Sequence, residues 1–130
     1  MGDISMVQRV MLVDDNLDAL ETLAEVLRYS DFEVATAATP KAALALAPNF
    51  RPHVALLDVS LPGMDGYELA KALRAAVGPA LRLITLSGHG SPADFQRAAA
   101  AGLERHLVKP VDLDEMIGIL NQAPATTPPG

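Results

Sequence analysis

Five times along the chain, a short apolar run too brief for a helix gives way to a longer stretch of helical period. The runs fall at residues 10–13, 32–37, 54–57, 81–86 and 106–108, and each is apolar throughout or nearly so. A strand with one wet face would alternate between apolar and polar residues, whereas strands apolar on both sides suit a parallel sheet covered by helices on both faces. Between the runs, Leu20, Leu23, Ala24 and Leu27 recur at i, i+3, i+4 and i+7, as do Leu113, Met116, Ile117 and Leu120. Each set forms one apolar stripe on an amphipathic helix. Leu69, Leu73 and Ala76 mark a third helix, and the alanine-rich stretches 42–47 and 92–101 mark two more.

Helix starts agree with this division. Thr39-Pro40 and Ser91-Pro92 each put a capping hydroxyl before a proline at the first helical position. Asp65-Gly-Tyr-Glu68 and Asp112-Leu-Asp-Glu115 read as capping boxes with Asp as the cap. Repeated β–α units joined by right-handed crossovers give a doubly wound α/β sheet of five parallel strands, with helices on both faces. At 130 residues the chain has the length of one domain. We expect that domain over residues 8–122, with an N-terminal extension at 1–7. Residues 123–130, rich in proline, are expected to be a flexible tail or the start of a linker.

Composition narrows the function classes. Sixteen acidic against ten basic residues give a net charge of −6, so the chain would repel a polyanion or an acidic membrane surface. Direct nucleic-acid binding is not expected. There is no cysteine, which removes disulfides, thiolate catalysis and sulfur-ligated zinc and fits a reducing compartment. The first six residues lack the apolar run of a signal peptide, and nowhere do eighteen apolar residues stand together. These features lead us to expect a cytoplasmic protein.

In an open parallel sheet, ligands bind beyond the C-terminal ends of the strands. The first strand ends in Asp14-Asp15-Asn16, the third in Asp58, the fourth in Ser87-Gly88 and the fifth in Lys109-Pro110. Taken singly, these are ordinary residues: Asp14, Asp15 and Asn16 can cap a helix, Asp58 and Ser87-Gly88 can form turns, and Lys109 can be a solvated charge. Their coincidence at four of five strand ends points to one site. Carboxylates crowded together repel one another unless a cation neutralises them. An all-oxygen set suits a hard divalent ion, Mg2+ or Mn2+. Beside such an ion an Asp carboxylate can attack phosphorus and form an acyl phosphate. Charge on the phosphoryl oxygens would then be met by the ion, Lys109 and the Ser87 hydroxyl.

At this point the chain resembles the receiver domain of two-component response regulators. The resemblance is carried by Val13-Asp14-Asp15, Leu56-Leu57-Asp58-Val-Ser60-Leu-Pro62-Gly-Met-Asp65-Gly66, Leu86-Ser87-Gly88, and Val108-Lys109-Pro110 ahead of an Asp-capped helix. It covers nearly the whole chain and implies a flavodoxin-like sheet in strand order 2-1-3-4-5. It also implies that Asp58 is the phosphoacceptor, charged by a histidine of a histidine kinase or of a phosphotransfer protein. By the same resemblance, Asp15, Asp58 and the backbone carbonyl of Ser60 hold Mg2+, with Mn2+ able to substitute, and Asp14 acts mostly through water. Ser87 and Lys109 would grip the phosphoryl oxygens, Gly66 and Pro62 would shape the loop beside the acceptor, and Lys109-Pro110 would be a cis peptide.

The family's switch pairs Ser87 with an aromatic on the last strand and alters the face of helix 4, strand 5 and helix 5. The matching position here is His106, where Tyr or Phe is more usual. A half-buried strand histidine with a satisfied nitrogen is the plain alternative for it. The segments His106–Asp112 and Leu61–Glu68 are similar to receivers fused to hybrid histidine kinases. The resemblance makes the chain a signalling receiver rather than an enzyme, one that catalyses only its own phosphorylation and slow dephosphorylation. Neither Ser60 nor His89 is an acid or amide suited to orienting water, so the acyl phosphate is expected not to be short-lived. Output would pass to a partner protein, to a homodimer or onward as phosphoryl, and the first helix with the loop after Lys109 would dock the donor. His53 is expected at the surface.

Three competitors remain. A flavin protein of this architecture would place phosphate where Asp14 and Asp15 stand, and these would repel it. An Asp-nucleophile phosphatase usually has a second Asp two residues on, where this chain has Ser60. A phosphorylation-independent interaction module would keep the fold alone.

Overall fold

The computed structural model describes residues 8–59, 66–88 and 92–122. Ten elements alternate: β1 (Arg9–Val13), α1 (Leu17–Tyr29), β2 (Glu33–Ala37), α2 (Pro40–Phe50), β3 (Val54–Asp58), α3 (Gly66–Val77), β4 (Arg82–Ser87), α4 (Pro92–Ala100), β5 (Arg105–Val108) and α5 (Leu113–Asn121). The strands form one parallel sheet in the order β2-β1-β3-β4-β5, as expected.

The two-sided apolar strands find their explanation in the core. Successive strand residues point to opposite faces, and each face has its own cluster. Met11, Val13, Ala55, Leu57 and Leu83 pack with Ala43 and Ala47 of α2, Leu69 and Leu73 of α3, and Ala98 of α4. Val10, Leu12, Val54, Leu56, Ile84 and Leu86 pack with Leu20, Ala24 and Leu27 of α1 and with Met116, Ile119 and Leu120 of α5. Truncating one such leucine to alanine would remove about 2–5 kcal/mol of stability. The central strand β3 is buried along its whole length, Asp58 included.

Local signals act as the sequence suggests. The Thr39 hydroxyl accepts from the Ala42 N–H ahead of Pro40, and the Asp112 carboxylate accepts from the N–H groups of Asp114 and Glu115. Asn16 caps α1 through the Ala19 N–H, which is the plain role weighed for it above. The caps expected at Asp65 and Ser91 lie outside the described residues, as do Ser60, Pro62, His89 and the two terminal segments. Asp58 and Ser87 end β3 and β4 as expected, with ladder pairing running through Asp58↔Leu86 and Ser87↔Val108, whereas Asp14 and Lys109 stand one residue beyond β1 and β5.

Candidate functional site

Strand order decides which side chains can meet. Since β1, β3, β4 and β5 are consecutive neighbours, their C-terminal ends lie side by side along one edge. Asp14 and Asp58 are buried there, Ser87 is 2% exposed, and Asp15 faces solvent. One oxygen from each of Asp14, Asp15 and Asp58 lies within 4.8 Å of the others. Lys109 reaches in from the far strand, its Nζ 3.4 Å from Asp14 Oδ2 and 3.7 Å from Asp58 Oδ2. The Lys109 N–H donates to the Ser87 carbonyl at 2.7 Å, which fixes the end of β5 against that of β4. Lys109-Pro110 is a cis peptide.

Asp14 divides its two oxygens between structure and site. Oδ1 accepts the Asn16 N–H at 2.9 Å, and Oδ2 faces Lys109. Gly66 opens α3 directly against the end of β3: a Cβ there would stand 2.7 Å from Val59 Cα and 3.1 Å from the Asp58 carbonyl oxygen. Any larger residue would press on the backbone that carries Asp58, so Gly66 shapes the surroundings of Asp58 from the α3 side.

Among the described residues, three carboxylates and the Lys109 ammonium make up this cluster, with Asp14 and Asp58 largely withdrawn from solvent. Such a set fits a hard divalent cation, which prefers several carboxylate and carbonyl oxygens. Ser60, expected to lend a carbonyl, lies outside the described residues. A trough of about 480 Å3 adjoins the cluster, walled by Leu20 and Leu23 of α1 and by Pro110, Val111 and Leu113, with Asp14 and Lys109 at its end.

His106 is not part of the cluster. It is buried on β5 opposite Thr85, with Nδ1 2.8 Å from the Thr85 hydroxyl oxygen. It is a strand histidine with a partnered nitrogen, as the plain alternative has it, but buried rather than half-buried. His53 corrects an expectation: it is half-buried rather than on the surface, and its Nδ1 accepts the Arg9 N–H at 2.8 Å. Burial first, and the Arg9 charge second, hold the His53 imidazole below the ordinary histidine range. Sequence reasoning missed Thr85 altogether, since a single threonine inside an apolar strand gives no sign of which neighbour it will meet.

A model of the response regulator receiver domain matches residues 10–121. The chain belongs to that family. It is 39% identical over 109 residues to the transcriptional regulatory protein PrrA of Mycobacterium tuberculosis, covering 84% of this chain and 46% of that protein. It is 31% identical over 111 residues to sporulation initiation phosphotransferase F of Bacillus subtilis, covering 85% and 89% respectively. The receiver therefore spans about half the length of PrrA and most of the phosphotransferase. Its fold superposes with a TM-score of 0.81 on a response regulator from Burkholderia pseudomallei, solved with a phosphorylated aspartic acid, a calcium ion and citrate. That match has 26% identity and covers 88% of this chain and 67% of the other. The protein is thus a receiver domain of two-component signalling. Among its described residues no helix is long and apolar enough to cross a membrane.

Proposed function

We propose that this receiver takes a phosphoryl group onto Asp58 from a phosphohistidine of a histidine kinase or phosphotransfer protein, in a Mg2+-dependent reaction. The observation that carries the reading is the cluster itself: three carboxylates within 4.8 Å, with the Lys109 ammonium within ion-pair reach of Asp14 and Asp58. Asp15, Asp58 and the Ser60 carbonyl would hold the cation, with Asp14 acting mostly through water. When bound, the cation neutralises the carboxylates and one phosphoryl oxygen.

The chain's own residues supply the rest. A carboxylate oxygen of Asp58 attacks phosphorus as the P–N bond to the donor imidazole breaks, and the departing nitrogen keeps the electron pair. Little proton transfer is needed, so the work lies in positioning and charge neutralisation. Lys109 meets one phosphoryl oxygen as an ammonium, and the Ser87 hydroxyl donates to another. The adjoining trough, with the exposed Leu113 in its wall, offers apolar footing for the donor beside Asp58.

Response to the phosphoryl group would alter the face of α4, β5 and α5 and so control a partner protein or a homodimer. The reading sets the domain in the cytoplasm, in keeping with a cysteine-free chain. It treats residues 8–122 as the functional unit and its own chemistry as limited to phosphorylation and slow dephosphorylation.

The test is incubation with acetyl phosphate and Mg2+ followed by intact mass. One phosphoryl adduct is expected, absent in Asp58→Asn and with a chelator, and lasting well beyond seconds. An adduct that survives Asp58→Asn would displace Asp58 as acceptor. No adduct with either acetyl phosphate or a phosphorylated donor protein would leave a phosphorylation-independent module.

A further inference from the structure

Thr85 sits in the interior of β4 with no exposed surface, a hydroxyl where the surrounding pattern is hydrocarbon. Its partner across the β4–β5 ladder is His106, and the two side chains meet at 2.8 Å. Buried polar groups are paired as a rule, and removing one partner leaves the other desolvated without compensation. Thr85 is two residues before Ser87, so both side chains leave β4 on the same face. That is the face of Leu83, covered by α2, α3 and α4. His106 also borders a cleft of about 290 Å3 shared with Ala98 and Ala99 of α4 and with Leu103. The imidazole therefore has one anchored position beside Thr85 and open space next to it.

We propose that Thr85 is a positioning residue of the switch, its hydroxyl holding the His106 ring against β4, so that moving the ring in this chain means breaking the buried Thr85–His106 hydrogen bond. The proposal rests on the reading of Asp58 as phosphoacceptor and of His106 as the switch position. A phenyl ring at 106 would stay inside through apolar contact alone. Imidazole has less apolar area, and its nitrogen needs a partner once it is buried. Thr85 supplies that partner from the strand that ends in Ser87, which places the ring's anchor one dipeptide from the phosphoryl-binding hydroxyl.

Two substitutions separate hydrogen bonding from packing. Thr85→Val keeps the volume and loses the hydroxyl, whereas Thr85→Ser keeps the hydroxyl and loses a methyl group. The whole chain, 15N-labelled at histidine and backbone, is compared with and without beryllofluoride and Mg2+ as the phosphoryl probe. In Thr85→Val the His106 Nδ1 resonance is expected to leave its wild-type position, and the probe-induced amide shifts in α4 and β5 to be lost. Thr85→Ser should match wild type in both. In a His106→Phe background, Thr85→Val should have no effect on the amide response. A wild-type response in Thr85→Val, with Thr85→Ser the altered variant, would mean that the site needs volume only and would overturn the proposal alone. No response to the probe in wild type would remove the acceptor reading and the switch with it.

Discussion

The two ends of the sheet hold charge in opposite ways. At the N-terminal ends of the strands, Arg82 is 7% exposed and its five N–H groups have five acceptors. Nε and Nη2 donate to the Glu104 carboxylate at 2.7 and 2.6 Å, Nη1 to the Leu120 and Gln122 carbonyls, and Nη2 also to that of Ile119. Arg9 Nε donates to the carbonyls of Phe50 and Arg51, and the Arg9 backbone N–H to His53. At the C-terminal ends, oxygens of Asp14, Asp15 and Asp58 gather within 4.8 Å of one another, and the Lys109 ammonium lies 3.4 Å from Asp14 and 3.7 Å from Asp58. One end is completed within the chain and ties β4, β5 and α5 together. The other gathers three carboxylates around which, on the function proposed above, a cation and a phosphoryl group would be held.

The largest effect that would break this comparison is at the completed end. Arg82→Ala removes the guanidinium paired with Glu104 and one of the donors to the Ile119, Leu120 and Gln122 carbonyls, and we expect a loss of about 3–5 kcal/mol in urea unfolding. A loss below 1 kcal/mol would mean that the end is ordinary surface. Next comes the acidic end. Asp15→Asn removes one of the repelling charges, so without cation it should be no less stable than wild type. Wild type should gain about 1.4 kcal/mol when Mg2+ is ten times its Kd, and Asp15→Asn should lose most of that gain.

A smaller effect sharpens the distinction within the acidic end itself, because Asn16 stands beside the carboxylates yet caps α1. Asn16→Ala should cost about 1 kcal/mol by the same unfolding assay and leave the Mg2+ gain intact. The smallest effect is in pH. His53 is held below its ordinary value of 6.5, so the unfolded chain binds the proton more readily. The His53 contribution is present above pH 6.5 and is lost as pH falls through the folded value. Glu104 is held below its ordinary 4.5, by the Arg82 hydrogen bond against the opposing pull of burial, so its contribution is lost in a second, more acidic window. Stability measured from pH 8 down to pH 3 should fall in both windows. A His53→Gln variant should flatten the first.

The acidic end was legible in the sequence because strand-end position is a local property: a run of apolar residues stops, and the next polar residue is at the edge. Asp14, Asp15, Asp58, Ser87 and Lys109 could be assigned to one edge without knowing any contact. The completed end was not legible. Arg82 and Glu104 are 22 residues apart and Thr85 and His106 are 21 apart, and each pair meets only through the β4–β5 register. Hydrophobic periodicity reads an arginine or a threonine in a strand as an interruption and is silent about its partner. His53 was misplaced for the same reason, since its burial depends on Arg9, 44 residues earlier in the chain and on a neighbouring strand.

The central claim is that the acidic end is built for a divalent cation held at the Asp58 carboxylate, the proposed acceptor. Calorimetric titration of Mg2+ into wild type and Asp58→Asn tests it most directly. The account predicts one saturable site in wild type and binding weakened about tenfold or more, about 1.4 kcal/mol or more, in Asp58→Asn. Equal binding by the two proteins, or none by wild type, would contradict it.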